Sequence, residues 1–296
     1  MHKRYHWKLK HRELVLGERT LVMGILNVTP DSFSDGGKYA DPDRAFARAL
    51  ELEDEGADIV DIGAESTRPG SQRIVEAEEL RRLIPVLKKL RDKLTVPISV
   101  DTYRSGVAEK ALEHGAEIIN DPSGVLLDLH LPKVVMKWDA GLVINHMRGT
   151  PETWSRLPPI KDLMRTLAID MEAALHRARH SGVQKHQLVI DPGLGFGKRR
   201  EQNSEIIANL DELKSFDVPI LIGPSRKNFL KKEQEDLTEF ATAGAVAASI
   251  LKGAHIVRVH DVKAMKAVID VVDAIKQSER EEQESAPVQT RWQRGQ

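Results

Sequence analysis

A short β-branched run, a polar stretch holding Gly or Pro, and an amphipathic stretch recur along nearly the whole chain. The runs at 20–26, 59–62, 98–101, 117–120, 141–145, 188–191, 220–222 and 256–259 predict eight strands. Apolar positions at helical spacing near 42–55, 76–93, 104–114, 128–139, 161–181, 202–214, 237–252 and 261–276 predict a helix after each. Strict alternation of strand and helix implies parallel strands joined by right-handed crossovers. Eight such units predict an α/β protein with a closed (β/α)₈ TIM barrel over residues 20–276, in competition with an open doubly wound sheet. Residues 1–19 precede the first unit and are expected to form a hairpin capping the barrel bottom. Residues 277–296 are polar, lack apolar periodicity and are expected to be a disordered tail.

Composition narrows the function. Lys plus Arg number 44 against 45 Asp plus Glu, so the basic excess of a nucleic-acid-coating surface is missing. The chain has no cysteine, which removes disulfides, thiolate metal sites and cysteine nucleophiles together. Apolar stretches such as 243–251 are too short to cross a bilayer, and no signal-peptide core follows the basic start. A cytoplasmic protein without membrane partners is the expectation.

In a barrel of this kind the reactive groups stand at the C-terminal strand ends and in the loops after them. Here those positions are polar in every unit. They gather Asn27, Asp101, Asn120, Asp191, Lys227, Arg258 and His260 around one mouth. Simpler readings compete. Asp101 and Asp261 suit helix N-caps, Asp191-Pro192-Gly193 suits a turn, and His146 suits a satisfied core histidine. His2, His6 and His11 suit a solvated arm. The Walker and dinucleotide glycine patterns both fail around residues 193–199, where Lys198 and Arg199 stand in place of the required residues. Arg68, Lys227, Arg258 and His260 are donors suited to a phosphate or diphosphate. Asp101, Asn120 and Asp191 are acceptors suited to a flat heterocycle bearing N–H groups.

The segments NVTPDSFSDGG (27–37), DIGAESTRPG (61–70), NHMRGTP (145–151), DPGLGFGK (191–198), GPSRK (223–227) and RVHDV (258–262) together resemble the dihydropteroate synthase family, over roughly residues 14–276. The resemblance implies condensation of 6-hydroxymethyl-7,8-dihydropterin diphosphate with 4-aminobenzoate, with Mg²⁺ as cofactor and a homodimer built through helices of the C-terminal half. It implies that Asp101, Asn120, Asp191 and Lys227 bind the pterin, and that Asn27, Thr67, Arg68, Arg258 and His260 bind the diphosphate. Asn27 would also contact the metal. Phe33, Pro69 and Ser225 would form the aminobenzoate pocket, and Asp101, Lys227 and Asn27 would carry the catalysis. The first loop would close over the site. Departures are small: Ala64 stands where glycine is common, and Lys198 is followed by Arg199-Arg200, a basic run expected at the surface. Two rivals stay open, a methyl-transferring pterin barrel and a catalytically silent pterin binder.

Overall fold

The chain enters through an antiparallel hairpin, β1 (Tyr5–Lys8) paired with β2 (Glu13–Leu16). Eight parallel strands follow: β3 (Leu21–Asn27), β4 (Ile59–Gly63), β5 (Ile98–Asp101), β6 (Ile118–Asp121), β7 (Gly141–Asn145), β8 (Leu188–Asp191), β9 (Leu221–Ile222) and β10 (Ile256–Val259). The helices between and after them are α1 (Pro42–Asp54), α2 (Glu76–Leu90), α3 (Ser105–Glu113), α4 (Leu131–Lys137), α5 (Leu163–His180), α6 (Arg200–Ala208), α7 (Glu235–Leu251) and α8 (Val262–Ser285). This computed structural model describes residues 3–29, 41–66 and 70–285.

Each strand pairs with its sequence neighbour from β3 to β8, β3 also pairs with β10, and β10 pairs with β9. A parallel bridge from Ile190 to Ile220 joins β8 to the start of β9 and closes the ring. The barrel is therefore shut, and the open sheet is excluded.

Strand periodicity divides the interior into two chemistries. Side chains of a strand alternate between its faces. On the inward phase, Met23, Ile59, Ile118, Val143, Val189, Leu221 and Ile256 pack into one buried cluster at the strand beginnings. Two residues further along the same phase stand Asp61, Asn120, Asn145, Asp191 and Arg258. The outward phase carries Val22, Val60, Ile62, Val100, Ile119, Leu142, Ile190 and Val257, which bury against the helices. One alternation thus builds an apolar floor, a polar upper layer and the sheet-to-helix core.

The hairpin packs on that floor. Trp7, Leu9 and Leu16 join the same apolar cluster, and the Trp7 indole N–H donates to the Gln187 carbonyl at 2.8 Å. The hairpin places His6 beside Glu13, with Nδ1 2.5 Å from Oε1, and leaves His6 and His11 exposed.

Two helices differ from the expected pattern. The stretch near 202–214 divides at Asn209 into α6 and a 3₁₀ segment, Leu210–Phe216. The last helix runs to Ser285, inside the segment read as a disordered tail. Residues 277–285 hold Gln, Glu, Arg and Ser with no Gly or Pro, so helical propensity carries the helix past its apolar face.

Candidate active site

The parallel register sets the polar groups side by side. Asn27 lies opposite Gly63, Gly63 opposite Asp101, and Asp101 opposite Asn120, across four adjacent strands. Asn145 lies opposite Asp191. Gly63 leaves a gap in this row: a Cβ there would stand 3.4 Å from Asn27 Oδ1 and 3.8 Å from Asp101 Oδ2.

A chain of hydrogen bonds crosses the upper layer. Asn120 Nδ2 donates to Asp61 Oδ2 at 3.1 Å, and Arg258 Nε donates to the same oxygen at 2.6 Å. Arg258 Nη2 donates to Asp101 Oδ2 at 2.9 Å. Asp61 is wholly buried. Burial works against the Arg258 charge, but Asp61 and Asp101 more than offset it and raise the guanidinium pKa. Burial lifts the Asp101 carboxyl to about 7, with Arg258 opposing and Asp61 adding to the rise. Asp101 accordingly serves the barrel interior. The cap reading fails for it, because the α3 amide of Ser105 is taken instead by Asp128 Oδ2 at 2.7 Å. The cap reading holds for Asp261, whose Oδ1 accepts from the Ala264 amide at 2.9 Å.

Asp191 is buried, and its Oδ1 accepts the Gly193 amide at 2.7 Å. The turn reading is thus correct as far as it goes. A carboxylate oxygen has a second lone pair and a partner oxygen, so the group remains able to take ligand donors. Burial raises its pKa, while the Gly193 amide, Lys227, Arg258 and Lys198 pull against that. Lys227 sits with Nζ 4.3 Å from the Phe196 ring centroid. Burial and Arg258 lower its pKa to about 8, against Asp191 and Asp101. Two residues before Lys227 on the same loop, Ser225 Oγ lies 2.9 Å from His260 Nδ1.

Lys198 does not lie at the surface with Arg199 and Arg200. Its ammonium donates to the carbonyls of Gly193 at 2.7 Å, His146 at 3.1 Å and Phe196 at 3.3 Å. It thereby ties the glycine-rich turn to the segment after β7. Gly193 is required there, having φ +69° and a Cβ position 2.0 Å from the His146 carbonyl oxygen. Burial brings the Lys198 pKa down to about 7. His146 is a core histidine, buried, with Nε2 3.0 Å from Asp170 Oδ2 and Nδ1 unpaired. Burial lowers its pKa to about 4, so it is neutral.

Of the residues expected at the site, the structure brings together Asn120, Asp101 and Arg258 in one network, Asp191 and Lys227 within electrostatic reach of them, and Ser225 with His260. Asn27 stands half-buried at the end of β3. Phe33, Thr67, Arg68 and Pro69 lie outside the described residues. Two residues escaped the sequence reading. Asp61 falls in the predicted strand 59–62 and opens the 61–70 segment but carries no role in the sequence reading, although its inward phase, two residues after Ile59, is the available signal. Lys198 was masked by the basic pair following it. A cavity of about 440 Å³ lined by Glu172, His176, Arg179 and Phe216 lies on the flank beside α5 and shares no residue with this site.

The chain with this barrel and this polar mouth belongs to the pterin-binding enzymes, the profile of that family matching residues 23–260. Among relatives, the dihydropteroate synthase of Synechocystis is 43% identical over 263 residues, covering 88% of this chain and 91% of that protein. The Clostridium difficile dihydropteroate synthase, solved with pteroic acid, superposes with a TM-score of 0.82 at 42% identity, covering 88% of this chain and 98% of that one. The Xanthomonas albilineans dihydropteroate synthase, solved with 4-aminobenzoic acid, gives a TM-score of 0.85 at 35% identity, covering 93% and 99%.

Proposed function

We infer that this chain condenses 6-hydroxymethyl-7,8-dihydropterin diphosphate with 4-aminobenzoate, giving 7,8-dihydropteroate and pyrophosphate. The observation that carries the reading is the pairing, in one barrel mouth, of the buried acceptors Asn120 and Asp191 and the half-buried Asp101 with the cations Arg258 and Lys227. A pterin presents two parallel donors, N3–H and the 2-amino group, which suit the Asp191 carboxylate. Lys227 then faces the ring carbonyl. The bond from the pterin methylene to the diphosphate oxygen breaks, its electron pair leaving with pyrophosphate, and positive charge spreads over the methylene and ring. Asp101, beside the ring, stabilises that charge as it develops. The aminobenzoate nitrogen supplies the pair for the new carbon–nitrogen bond and gives up one proton to the released pyrophosphate or to solvent; because the amine attacks the pterin carbon itself, no covalent enzyme intermediate is involved. Arg258 and His260 hold the departing anion.

Mg²⁺ is proposed to accompany the diphosphate. Asn27 Oδ1, facing the gap left by Gly63, is a hard neutral oxygen of the type this ion accepts alongside substrate phosphates and water. The described residues contain no cluster of three His, Cys, Asp or Glu able to hold a metal by themselves. The metal would neutralise charge on the leaving group.

The reading extends to a homodimer. Leu237, Phe240 and Leu251 on α7 and Val271 and Ile275 on α8 are exposed apolar residues on two adjoining helices. A second copy covering them accounts for this apolar face. Sedimentation at micromolar concentration tests it, a monomer being the contrary result.

Pyrophosphate release on mixing the purified protein with the pterin diphosphate, Mg²⁺ and 4-aminobenzoate tests the reaction. Stoichiometric pyrophosphate and dihydropteroate are expected. No pyrophosphate, or methyl transfer from methyltetrahydrofolate instead, would overturn the assignment.

A further inference from the structure

Asp61 has no place in the reaction scheme above, yet it is the node of the hydrogen-bond chain. It sits on β4, wholly buried, and one of its oxygens, Oδ2, accepts from two donors on two different strands: Asn120 Nδ2 at 3.1 Å from β6 and Arg258 Nε at 2.6 Å from β10. Its other oxygen, Oδ1, is buried without a partner.

An ionised carboxylate only accepts. It therefore dictates which end of the Asn120 amide faces which way. The NH₂ group must turn toward Asp61, and the amide oxygen is left to accept from a ligand. Without that partner the amide could flip, exchanging an acceptor for a donor at the ring edge. The same oxygen pins Arg258 through Nε. With Nη2 on Asp101, only Nη1 of the three nitrogens is not engaged with these carboxylates, so the guanidinium plane has one orientation rather than several. Ring recognition and anion recognition thus hang from a single atom.

We propose that Asp61 is a positioning and specificity-determining residue of the pterin site, fixing the Asn120 amide with its oxygen toward the ligand and locking the Arg258 guanidinium toward Asp101. The proposal rests on the pterin reading given above. It distinguishes Asp61 from the catalytic residues, because no atom of Asp61 needs to touch substrate. Its influence is expected on the pterin half of the reaction, since its two partners, Asn120 and Arg258, serve the ring and the diphosphate in that reading.

The test compares wild type with Asp61→Asn and Asp61→Leu. Asn keeps an oxygen able to accept from both donors; Leu keeps the approximate size and accepts nothing. Calorimetry with 6-hydroxymethyl-7,8-dihydropterin should give a Kd within about threefold of wild type for Asp61→Asn and a rise of about tenfold or more for Asp61→Leu, the scale for leaving buried polar partners unpaired. In steady-state kinetics, KM for the pterin diphosphate should rise in Asp61→Leu while KM for aminobenzoate stays within about twofold. A role in folding alone would lower the melting temperature and the active fraction with both KM values unchanged, and that pattern overturns the proposal. So does wild-type pterin affinity in a folded Asp61→Leu. Should Asp61→Leu fail to fold, Asp61→Ser, polar but too short to reach either donor, must show the same loss. The binding arm uses the pterin alone, so it stands even if the wild-type protein releases no pyrophosphate; that second result would defeat the reaction assignment and not this one.

Discussion

Ser225 Oγ stands 2.9 Å from His260 Nδ1 and accepts from the His260 amide N–H at 3.2 Å, so the loop after β9 and the end of β10 are clasped through one hydroxyl. Ser225→Ala removes both contacts. It should reduce kcat/KM about three- to tenfold, the scale of one or two net hydrogen bonds, with KM for the pterin diphosphate rising alongside that for aminobenzoate. If only the aminobenzoate KM moves, the clasp does nothing for His260.

Asp191→Ala should weaken pterin binding by about 2–4 kcal/mol, because two ring donors lose their acceptor in a buried setting. Calorimetry decides it. Unchanged affinity would reduce Asp191 to its hydrogen bond with Gly193.

Asp101→Asn keeps the shape and removes the charge. Turnover should fall about 10²–10³-fold, the scale of one electrostatic stabiliser, with a much smaller change in affinity. In wild type, kcat/KM should rise with pH through about 7 as the Asp101 carboxyl ionises. The stability effect has the opposite sign. A folded pKa above the unfolded value contributes stability at low pH that is lost as pH rises through the folded value. The melting temperature of wild type should therefore drop relative to Asp101→Asn between pH 5 and pH 8. Parallel melting curves would contradict this.

Lys198→Met leaves three carbonyls short of a donor where the glycine turn meets the β7 loop. It should cost about 1–3 kcal/mol of stability and raise the pterin KM, since Asp191 hangs on the same turn through Gly193. Denaturant unfolding with steady-state kinetics measures both. A neutral outcome would make Lys198 the surface residue its neighbours suggest.

Much of this architecture could be read from periodicity. Eight β-branched runs at regular intervals predict eight parallel strands, and the polar strand ends mark the mouth. What stayed hidden was three-dimensional partnership. Nothing in a one-dimensional reading of Ile59-Val60-Asp61-Ile62 says that Asp61 meets Asn120 and Arg258, which lie 59 and 197 positions further on. Lys198 was hidden differently: a lysine beside two arginines looks solvated until a turn folds its ammonium under three carbonyls. The end of α8 departs from the expected tail because apolar periodicity reports packing, whereas residues 277–285 stay helical on propensity.

The hairpin has a consequence for traffic through the enzyme. With Trp7 and Leu16 packed in one buried cluster with Met23, Ile59 and Ile256, the hairpin stoppers the barrel at the end where its strands begin. A ligand of the polar layer is then reached from the strand-end side and not through the floor. A stoppered chamber of that kind turns depth into sequence: a ring seated against the floor is expected to enter ahead of the molecule that joins it, a proposal that initial-rate kinetics with both substrates varied would test.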